Sequence, residues 1–300
     1  MTIHKWDSVA SPSGAVQIIH GMAEHARRYT CFATALNKHG YIVWAHDQRG
    51  HGANPTPPVG LGHFADENGW RLLVEDAASV SDQMRSAYPG LPLFVFAHSM
   101  GSFVAQSLMG ERGDLYKGVI LAGSDGPRGV SEAVVRLIAR IQRLVLGPRA
   151  PGLWLDSLVF DTYNRQFRPN RTRFDWLSRD CDQVDKYIND YLCGFPLTAQ
   201  SWFDFVTGKA NLVTSEHVER IPKSLPIYII GGTSDPVGDN SKGLKKLRRL
   251  YEQCGLEKVQ ARFYEDARHE LVNETNRDEI TEDIIQWLDV TSRYNLVSGT

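Results

Sequence analysis

The chain has 300 residues, of which 42% are hydrophobic and 23% charged, and its formal net charge is −2. A chain of this size can bury a large core, and without long runs of one charge a nucleic-acid-binding role is excluded. Residues 1–14 lack a hydrophobic leader and no apolar stretch nears the roughly 20 residues of a membrane span, so we expect no secretory signal. The four scattered cysteines form no Cys-x-x-Cys pair, which predicts reduced thiols in a cytoplasmic protein.

Short apolar runs rich in β-branched and aromatic residues alternate with longer helical patterns along the chain. Each run is continuous rather than alternating, which is typical of strands buried on both faces of a parallel sheet. The predicted strands are Val16 to Ile19, Tyr41 to Ala45, Leu93 to Ala97, Gly118 to Ala122, Ile227 to Gly231 and Val259 to Tyr264.

Two of the helical patterns are clear from their periodicity. One extends from about Trp70 to Tyr88, with apolar residues at i, i+4 and i+7 spacing, and a Pro-Gly pair ends it. The other, from about Arg277 to Leu288, places its isoleucines on one stripe. Because strands that alternate with helices form βαβ units, we predict an α/β fold with a mostly parallel central sheet and helices on both faces.

Residues 126–225 break this rhythm, since they contain helical patterns and no clear strand. We predict that this segment is a helical cap (lid) inserted between the two parts of one core, residues 1–125 and residues 226–300. Such a cap would cover the carboxyl ends of the strands, where open α/β folds place their ligands.

A serine occupies the turn between a predicted strand and a predicted helix, in the sequence Ala97-His98-Ser99-Met100-Gly101. On a strained turn of this kind the Ser99 hydroxyl points clear of the backbone and is exposed as a nucleophile. The amide of Met100 then lies at a helix N-terminus, where it can stabilise an oxyanion. The motif is usually written G-x-S-x-G, and here Ala97 replaces the first glycine.

A nucleophilic serine needs a base to take its proton and a carboxylate to orient that base. His269 follows the strand that ends at Tyr264, and Asp235 follows the strand that ends at Gly231. Both therefore lie at the same edge of the sheet as Ser99, and we predict that the three form a catalytic triad. Asp125, which follows another strand, is the alternative acid, although its Gly-Pro neighbours favour a turn.

The loop His20-Gly21-Met22-Ala23-Glu24-His25 follows the first predicted strand and is the candidate for a second oxyanion donor. Its glycine lets the backbone approach a substrate, so that the Met22 amide can point at the developing charge. The two histidines suggest a metal, but no third ligand stands at a suitable spacing, so no metal is predicted. We expect Glu24 and His25 to brace the loop instead.

Taken together, these residues resemble the α/β-hydrolase superfamily, and more narrowly its monoacylglycerol lipase and lysophospholipase-like branch, often labelled serine aminopeptidase S33. The resemblance spans roughly residues 14–289 and includes the order Ser, Asp, His along the chain. The matching segments are residues 20–25, Arg28-Tyr29, residues 47–52, residues 98–102, Ser234-Asp235-Pro236, His269-Glu270 and, in the cap, residues 174–180 and Cys193-Gly194-Phe195.

The resemblance implies the α/β-hydrolase fold, a nucleophile at Ser99 and a triad completed by Asp235 and His269. It also implies that the amides of Met22 and Met100 form the oxyanion hole, and that no cofactor is needed.

Two positions depart from the pattern of the family. Ala97 replaces a glycine, and its methyl group must fit beneath the turn, which a small side chain can do. Tyr191 stands where many relatives have proline in the cap, so the resemblance does not define the shape of the cap or its fit to an acyl chain.

The cap contains an amphipathic stretch, Val130 to Val145, and several aromatic residues. The apolar stripe either packs on its neighbours or forms a lid that lines an acyl tunnel and touches a membrane or micelle surface. On the second interpretation the protein is cytoplasmic and peripheral at membranes. The candidates for substrate binding are Ile138, Ile141, Trp154, Leu158, Trp202 and Phe203.

The sequence therefore predicts a serine hydrolase that cleaves a small-molecule acyl ester, a monoacylglycerol or a lysophospholipid, through an acyl-enzyme. The alternatives within the branch are a short-chain carboxylesterase of broad specificity and a peptidase or amidase. An alternative from another class is a non-catalytic protein that holds an apolar ligand under the cap.

Overall fold

The computed structural model describes residues 1–128 and 130–293, and of Val130 and Ser131 the backbone alone. The side chain of Val130, the first residue of the apolar stripe, and residues 294–300, the end of the predicted core, lie outside the described part.

The described residues contain one mostly parallel sheet of seven strands in the order β1-β3-β2-β4-β5-β6-β7. All six predicted strands are present, and the predicted α/β-hydrolase fold is confirmed. The strands are β1 Ile3–Trp6, β2 Gly14–Ile19, β3 Tyr41–His46, β4 Leu93–His98, β5 Gly118–Ala122, β6 Ile227–Gly232 and β7 Val259–Tyr264.

The additional strand, β1, lies at the edge of the sheet and pairs antiparallel with β3. Its four residues are too few and too polar for a period to be recognised, because His4 and Lys5 form its centre. The Lys5 ammonium lies 3.7 Å from the centre of the Trp44 ring, so the aliphatic part of the side chain covers an apolar surface of β3.

Every residue of β2, β3, β4, β5 and β6 is buried, as predicted for strands covered on both faces. For β7 this prediction is wrong, because its burial alternates along the strand. It is the other edge of the sheet, and its outward Arg262 donates to Asp283 and Glu279 of the last helix.

Helices cover both faces of this sheet and also fill the segment between β5 and β6. The helices are α1 Thr30–Lys38, α2 Gly69–Ala87, α3 Met100–Arg112, α4 Val130–Leu146, α5 Leu153–Asp156, α6 Thr162–Asn164, α7 Cys181–Asn189, α8 Ala199–Leu212, α9 Ser215–Glu219, α10 Lys242–Gln253 and α11 Arg277–Arg293. A π-helical segment, Ser157–Asp161, joins α5 to α6.

Alternate residues of the buried strands supply two hydrophobic cores. On one face Val95 packs with side chains of α2, α3 and α10, such as Leu73 and Val104. On the other face Phe94 and Phe96 pack with side chains of α1 and α11. The sheet is therefore the middle of three layers, and its carboxyl edge is the place where the loops meet the helices of the cap.

The segment between β5 and β6 has no strand among its described residues. Its helix α8 packs against α4 and also against α2 and α3 of the core, so the predicted cap is joined to the core by helix packing. In the described parts of the chain we find no helix with the length and apolarity to cross a membrane.

The methyl group of Ala97 packs within the hydrophobic core beneath the serine turn. Ala97 is fully buried and forms part of the core that contains Val95 and Met100. In the sheet it lies between Ile19 of β2 and Leu121 of β5. The methyl group that distinguishes Ala97 from the usual glycine is therefore surrounded by apolar side chains.

We expect Ala97→Gly to lower the free energy of unfolding by about 1–2 kcal/mol, because a buried methyl is lost and the unfolded chain gains freedom. Urea unfolding of both proteins measures this difference. A variant as stable as the parent would show that the methyl contributes nothing to the packing beneath the turn.

Candidate active site

Ser99 lies between β4 and α3 in a strained backbone conformation, with φ +51° and ψ −120°. Its amide donates to the carbonyl of Ala122 at 2.9 Å, and its carbonyl accepts from the amide of Ser102 at 2.9 Å and from the Ser102 hydroxyl at 2.6 Å. A non-glycine residue in such a conformation costs about 1–3 kcal/mol and persists only where its surroundings hold it. These hydrogen bonds hold the turn.

Two glycines let the loop after β2 touch the serine turn. A Cβ atom on Gly101 would lie 2.2 Å from the carbonyl oxygen of Ile19 and 2.5 Å from that of His20. A Cβ atom on Gly21 would lie 3.2 Å from the Cβ atom of Ser99. The loop that carries Met22 therefore lies directly against the nucleophile candidate, as the sequence predicted for an oxyanion donor.

His269 and Asp235 form a buried pair at the ends of β7 and β6. The Nδ1 atom of His269 lies 3.1 Å from Oδ1 and 3.0 Å from Oδ2 of Asp235, and both residues are almost fully buried. Asp235 also accepts the amide of Val237 at 2.9 Å. The imidazole packs between the rings of Trp176 at 5.1 Å and His98 at 4.6 Å between centroids, which fixes its plane.

Asp125, the alternative acid, is held by other partners. Its carboxylate accepts from the Gly126 amide at 2.8 Å, from the Arg128 guanidinium at 2.5 Å and from the Lys209 ammonium at 3.0 Å. Arg128 also donates to the carbonyl of Val237, next to the loop of Asp235. Asp125 therefore links the core to α8 and to the β6 loop, and it does not pair with His269.

The orientation of the Met22 amide follows from the buried His20. The His20 Nδ1–H donates to the Gly21 carbonyl at 2.7 Å, and its Nε2 accepts the amide of Gln48 at 3.0 Å. Burial lowers the pKa of His20 to about 3 despite the nearby Asp47, so the ring is neutral. Because a trans peptide points its C=O and N–H in opposite directions, the Met22 N–H points away from His20.

A buried ion cluster braces this loop against the loop of His269. Glu24 accepts the Gly21 amide at 2.6 Å, the Tyr29 hydroxyl at 2.8 Å and the Arg28 guanidinium at 2.8 Å. Arg28 also makes two hydrogen bonds of 2.6 Å to Glu270. Burial alone would raise the pKa of Glu270, but Arg28 outweighs it and lowers that pKa. Glu24 thus has the bracing role that the sequence suggested.

A cavity of about 560 Å³ opens above these groups and is lined mainly by apolar side chains. Ser99, His269, Met22 and Met100 line its floor, while Asp235 lies behind His269. Of the predicted substrate residues, the cavity lining includes Ile138, Leu158 and Trp202.

The structure does not bring the other three substrate candidates to the cavity. Ile141 and Trp154 are 44% and 46% exposed. Phe203 packs beneath the Arg143 guanidinium, 4.2 Å from its ring centre. The apolar stripe of α4 is wider than the cavity, so Ile138 faces inward while Ile141, almost a full turn further, faces solvent.

Sequence reasoning missed part of the cavity wall. Tyr163, Phe174, Tyr187 and Val237 line it, and only the tertiary fold brings them together from distant parts of the chain. The aromatic richness of the cap was the one available signal. Nothing in the sequence indicated that Lys209 would reach the cavity from α8.

The fold and this arrangement at the carboxyl edge of the sheet are those of an α/β-hydrolase. Residues 10–276 match the family model described as serine aminopeptidase, S33. The chain belongs to this family, in its monoacylglycerol lipase-like branch, as the sequence predicted.

Known proteins resemble this one over nearly the whole chain. The monoglyceride lipase of Homo sapiens is 28% identical over 98% of this chain and 88% of its own length. The monoacylglycerol lipase of Mycolicibacterium smegmatis is 26% identical, covering 94% of this chain and 90% of the relative. A thermostable carboxyl esterase from Bacillus coagulans, solved with glycerol, superposes with a TM-score of 0.88, 28% identity and coverage of 97% and 99%.

We expect Arg28→Met to lower the free energy of unfolding by about 3–5 kcal/mol, because two buried carboxylates lose their counter-ion. Urea unfolding measures the loss. Arg71→Met is the matched control, since Arg71 pairs with two carboxylates at an exposed site and should cost less than about 1 kcal/mol. Equal losses in the two variants would contradict a structural role of the buried cluster.

Proposed function

We propose that this protein is a serine hydrolase that cleaves carboxylic esters of lipids, a monoacylglycerol or a lysophospholipid. The observation that carries the proposal is a largely apolar cavity whose lining includes both Ser99 on its strained turn and His269, which is hydrogen-bonded to the buried Asp235. The names of the relatives, monoglyceride and monoacylglycerol lipases, support an ester hydrolase acting on lipids.

In the proposed reaction His269 Nε2 accepts the proton of the Ser99 hydroxyl as its oxygen attacks the acyl carbonyl. Asp235 accepts the Nδ1–H of His269 and stabilises the imidazolium that forms. The amides of Met22 and Met100 hold the oxyanion. His269 then protonates the leaving alcohol. In the second half of the reaction His269 takes a proton from water as the water attacks the acyl-enzyme, and it returns that proton to the Ser99 oxygen as the carboxylic acid leaves. This chemistry needs no cofactor.

The cavity wall favours an acyl chain over a polar substrate. Its lining includes Phe103, Val135, Ile138, Phe160 and Phe205, side chains that exclude water from a hydrocarbon. The charged side chains of Asp125, Arg128 and Lys209 line the same cavity, with the Lys209 ammonium 4.8 Å from the centre of the Phe103 ring. We infer that the acyl group contacts the apolar side chains and that the alcohol group contacts these charged ones.

A second candidate function is that of a carboxylesterase with short-chain substrates. The observation in its favour is the similarity in fold to the Bacillus coagulans carboxyl esterase. The family description also includes aminopeptidases, for which a free α-amino group of the substrate would need an acceptor in the cavity. A hydrolysis profile over monoacylglycerols, lysophospholipids, short p-nitrophenyl esters and aminoacyl amides separates these activities.

The outer face of the cap supports a transient contact with a membrane or micelle. On α4 the side chains of Leu137, Ile141, Leu144 and Val145 are 44–69% exposed. The neighbouring Trp154 and further apolar side chains extend this surface, which we call the α4 face. An apolar patch of this kind is typical of an interaction site, and a lipid surface would also supply the substrate.

We expect Ser99→Ala to abolish hydrolysis of a p-nitrophenyl ester, with a loss on the order of 10⁶-fold in kcat, while the protein stays folded. A fluorophosphonate probe should label the parent at Ser99 and leave this variant unlabelled. Full activity in Ser99→Ala would refute the proposal, and a parent that is never labelled would favour the non-catalytic binding protein.

The acid of the triad is tested by comparing two single variants, Asp235→Asn and Asp125→Asn. We expect Asp235→Asn to lower kcat by about 10³ to 10⁴-fold, because the imidazole loses the carboxylate that orients it and stabilises its charge. The loss in Asp125→Asn should be far smaller, since its partners are Arg128 and Lys209. A larger loss of kcat in Asp125→Asn than in Asp235→Asn would show that Asp125 is the acid of the triad.

The contact of the α4 face with lipid is tested by the double variant Leu137→Glu/Leu144→Glu. We expect weaker sedimentation with monoacylglycerol-containing vesicles and slower hydrolysis of the vesicle substrate, with unchanged hydrolysis of a soluble ester. Lys246→Glu, at an exposed site of α10, changes the net charge by the same amount and should bind vesicles as the parent does. Unaltered binding by the double variant would exclude the α4 face.

A further inference from the structure

Three metal-ligating side chains meet outside the serine site, at the junction of the oxyanion loop and the cap. They are His25 from the loop after β2, and Asp190 and Cys193 from the segment after α7. One ligand atom from each lies within 4.8 Å of the others. His25 Nε2 and Asp190 Oδ2 are already 2.8 Å apart.

Only the tertiary structure forms this cluster, since His25 and Asp190 are separated by 165 residues in the chain. The sequence predicted no metal because no third ligand stood near His20 and His25. That reasoning considered spacing along the chain, and the fold supplies the missing ligands from the cap. His20, by contrast, uses both ring nitrogens in hydrogen bonds within the core.

The charges around the cluster favour a cation. The Cys193 thiol lies near three carboxylates, those of Glu24, Asp190 and Glu270, and one guanidinium, that of Arg28; burial together with these carboxylates raises its pKa, so its thiolate forms only with a cation bound. Three negative charges and one positive charge leave two negative charges in a partly buried region. A divalent cation would neutralise them, and the region is open to solvent because the Asp190 side chain is 32% exposed.

The donor set selects the kind of cation. An imidazole nitrogen, a carboxylate oxygen and a thiolate sulfur are ligands that Zn²⁺ accepts, whereas Ca²⁺ and Mg²⁺ prefer oxygen alone. A tetrahedral zinc site places its ligand atoms about 3.3–3.8 Å apart, so closure here needs side-chain shifts of about 1 Å. The backbone amide of Cys193 donates to the carbonyl of Asp190 at 2.9 Å, which keeps the two ligands on one turn.

We propose that His25, Asp190 and Cys193 bind one Zn²⁺ ion, with water as the fourth ligand. His25 binds through Nε2, so the hydrogen that Nε2 donates to Asp190 is displaced and the neutral ring carries its hydrogen on Nδ1 instead. The Cys193 thiol releases its proton to solvent as the S–Zn bond forms, so binding releases one proton and involves no redox change.

Zinc at this site acts on the oxyanion loop, and this second part rests on the proposed function. Ala23 has a positive φ of +53°, and its carbonyl accepts from the Tyr187 hydroxyl at 3.0 Å and from the Gly194 amide at 2.9 Å. His25 therefore belongs to a loop that is held to the cap on the same side as the ligands. Drawing His25 towards Cys193 shifts the loop that carries Met22, and the rate of hydrolysis falls.

The binding part is tested by calorimetric titration of the metal-stripped full-length protein with zinc chloride. We expect one ion per chain, and binding at least about tenfold weaker in Cys193→Ser and in His25→Gln. Cys181→Ser is the matched control, because Cys181 is exposed and joins no such cluster within the described part of the chain, and the zinc affinity of this variant should equal that of the parent. Cadmium chloride should give a thiolate charge-transfer absorption band that Cys193→Ser lacks.

Absence of saturable zinc binding, or binding that Cys193→Ser leaves intact, would overturn the site. These measurements need no enzymatic activity, so they decide the question even if the proposed function fails. The regulatory part is tested by the rate at which a fluorophosphonate labels Ser99, which zinc should lower in the parent and in Cys181→Ser but not in Cys193→Ser. Equal labelling rates with and without zinc would refute the regulatory part of the proposal and leave the proposed zinc site unaffected.

Discussion

The geometry of this site depends on one interaction, the pairing of the buried Arg28 guanidinium with both Glu24 and Glu270. Glu24 holds the amide of Gly21 in the oxyanion loop, and Glu270 directly follows His269. One cation therefore sets the distance between the loop after β2 and the loop after β7. A buried ion of this kind adds little net stability by itself. Its loss would leave two buried carboxylates without a counter-ion, so alternative arrangements of the two loops are strongly disfavoured.

The strained serine turn needs this support from its surroundings. Ser99 adopts its positive φ because the backbone of β5 and the first turn of α3 hold it, and because Gly101 allows the loop after β2 to approach. The protein is an ester hydrolase of the monoacylglycerol lipase-like branch in which every catalytic candidate stands at a strand end. Under the proposed function, the core supplies the chemistry, and the helices between β5 and β6 add apolar cavity walls that select what reaches it.

Much of the fold could be predicted because buried parallel strands are continuous apolar runs, each bounded by turn residues. The strand β1 was not predicted, because the polar His4 and Lys5 interrupt its apolar pattern at the edge of the sheet. In the cap the apolar stripe of α4 was recognised, but hydrophobicity does not distinguish a side chain that faces a cavity from one that faces lipid or water. For that reason the sequence did not distinguish Ile138, which lines the cavity, from Ile141, which is exposed.

The sequence by itself determined the family, six of the seven described strands and the identity of the nucleophile, base and acid candidates. These follow from local patterns, since a strand end and its following loop are adjacent in the chain. Only the tertiary structure decided which charges pair, as when Arg28 meets Glu270, and which cap residues meet the oxyanion loop, as when Cys193 meets His25. The physical reason is that such contacts join segments far apart in the chain, whose approach depends on packing of the whole cap against the sheet.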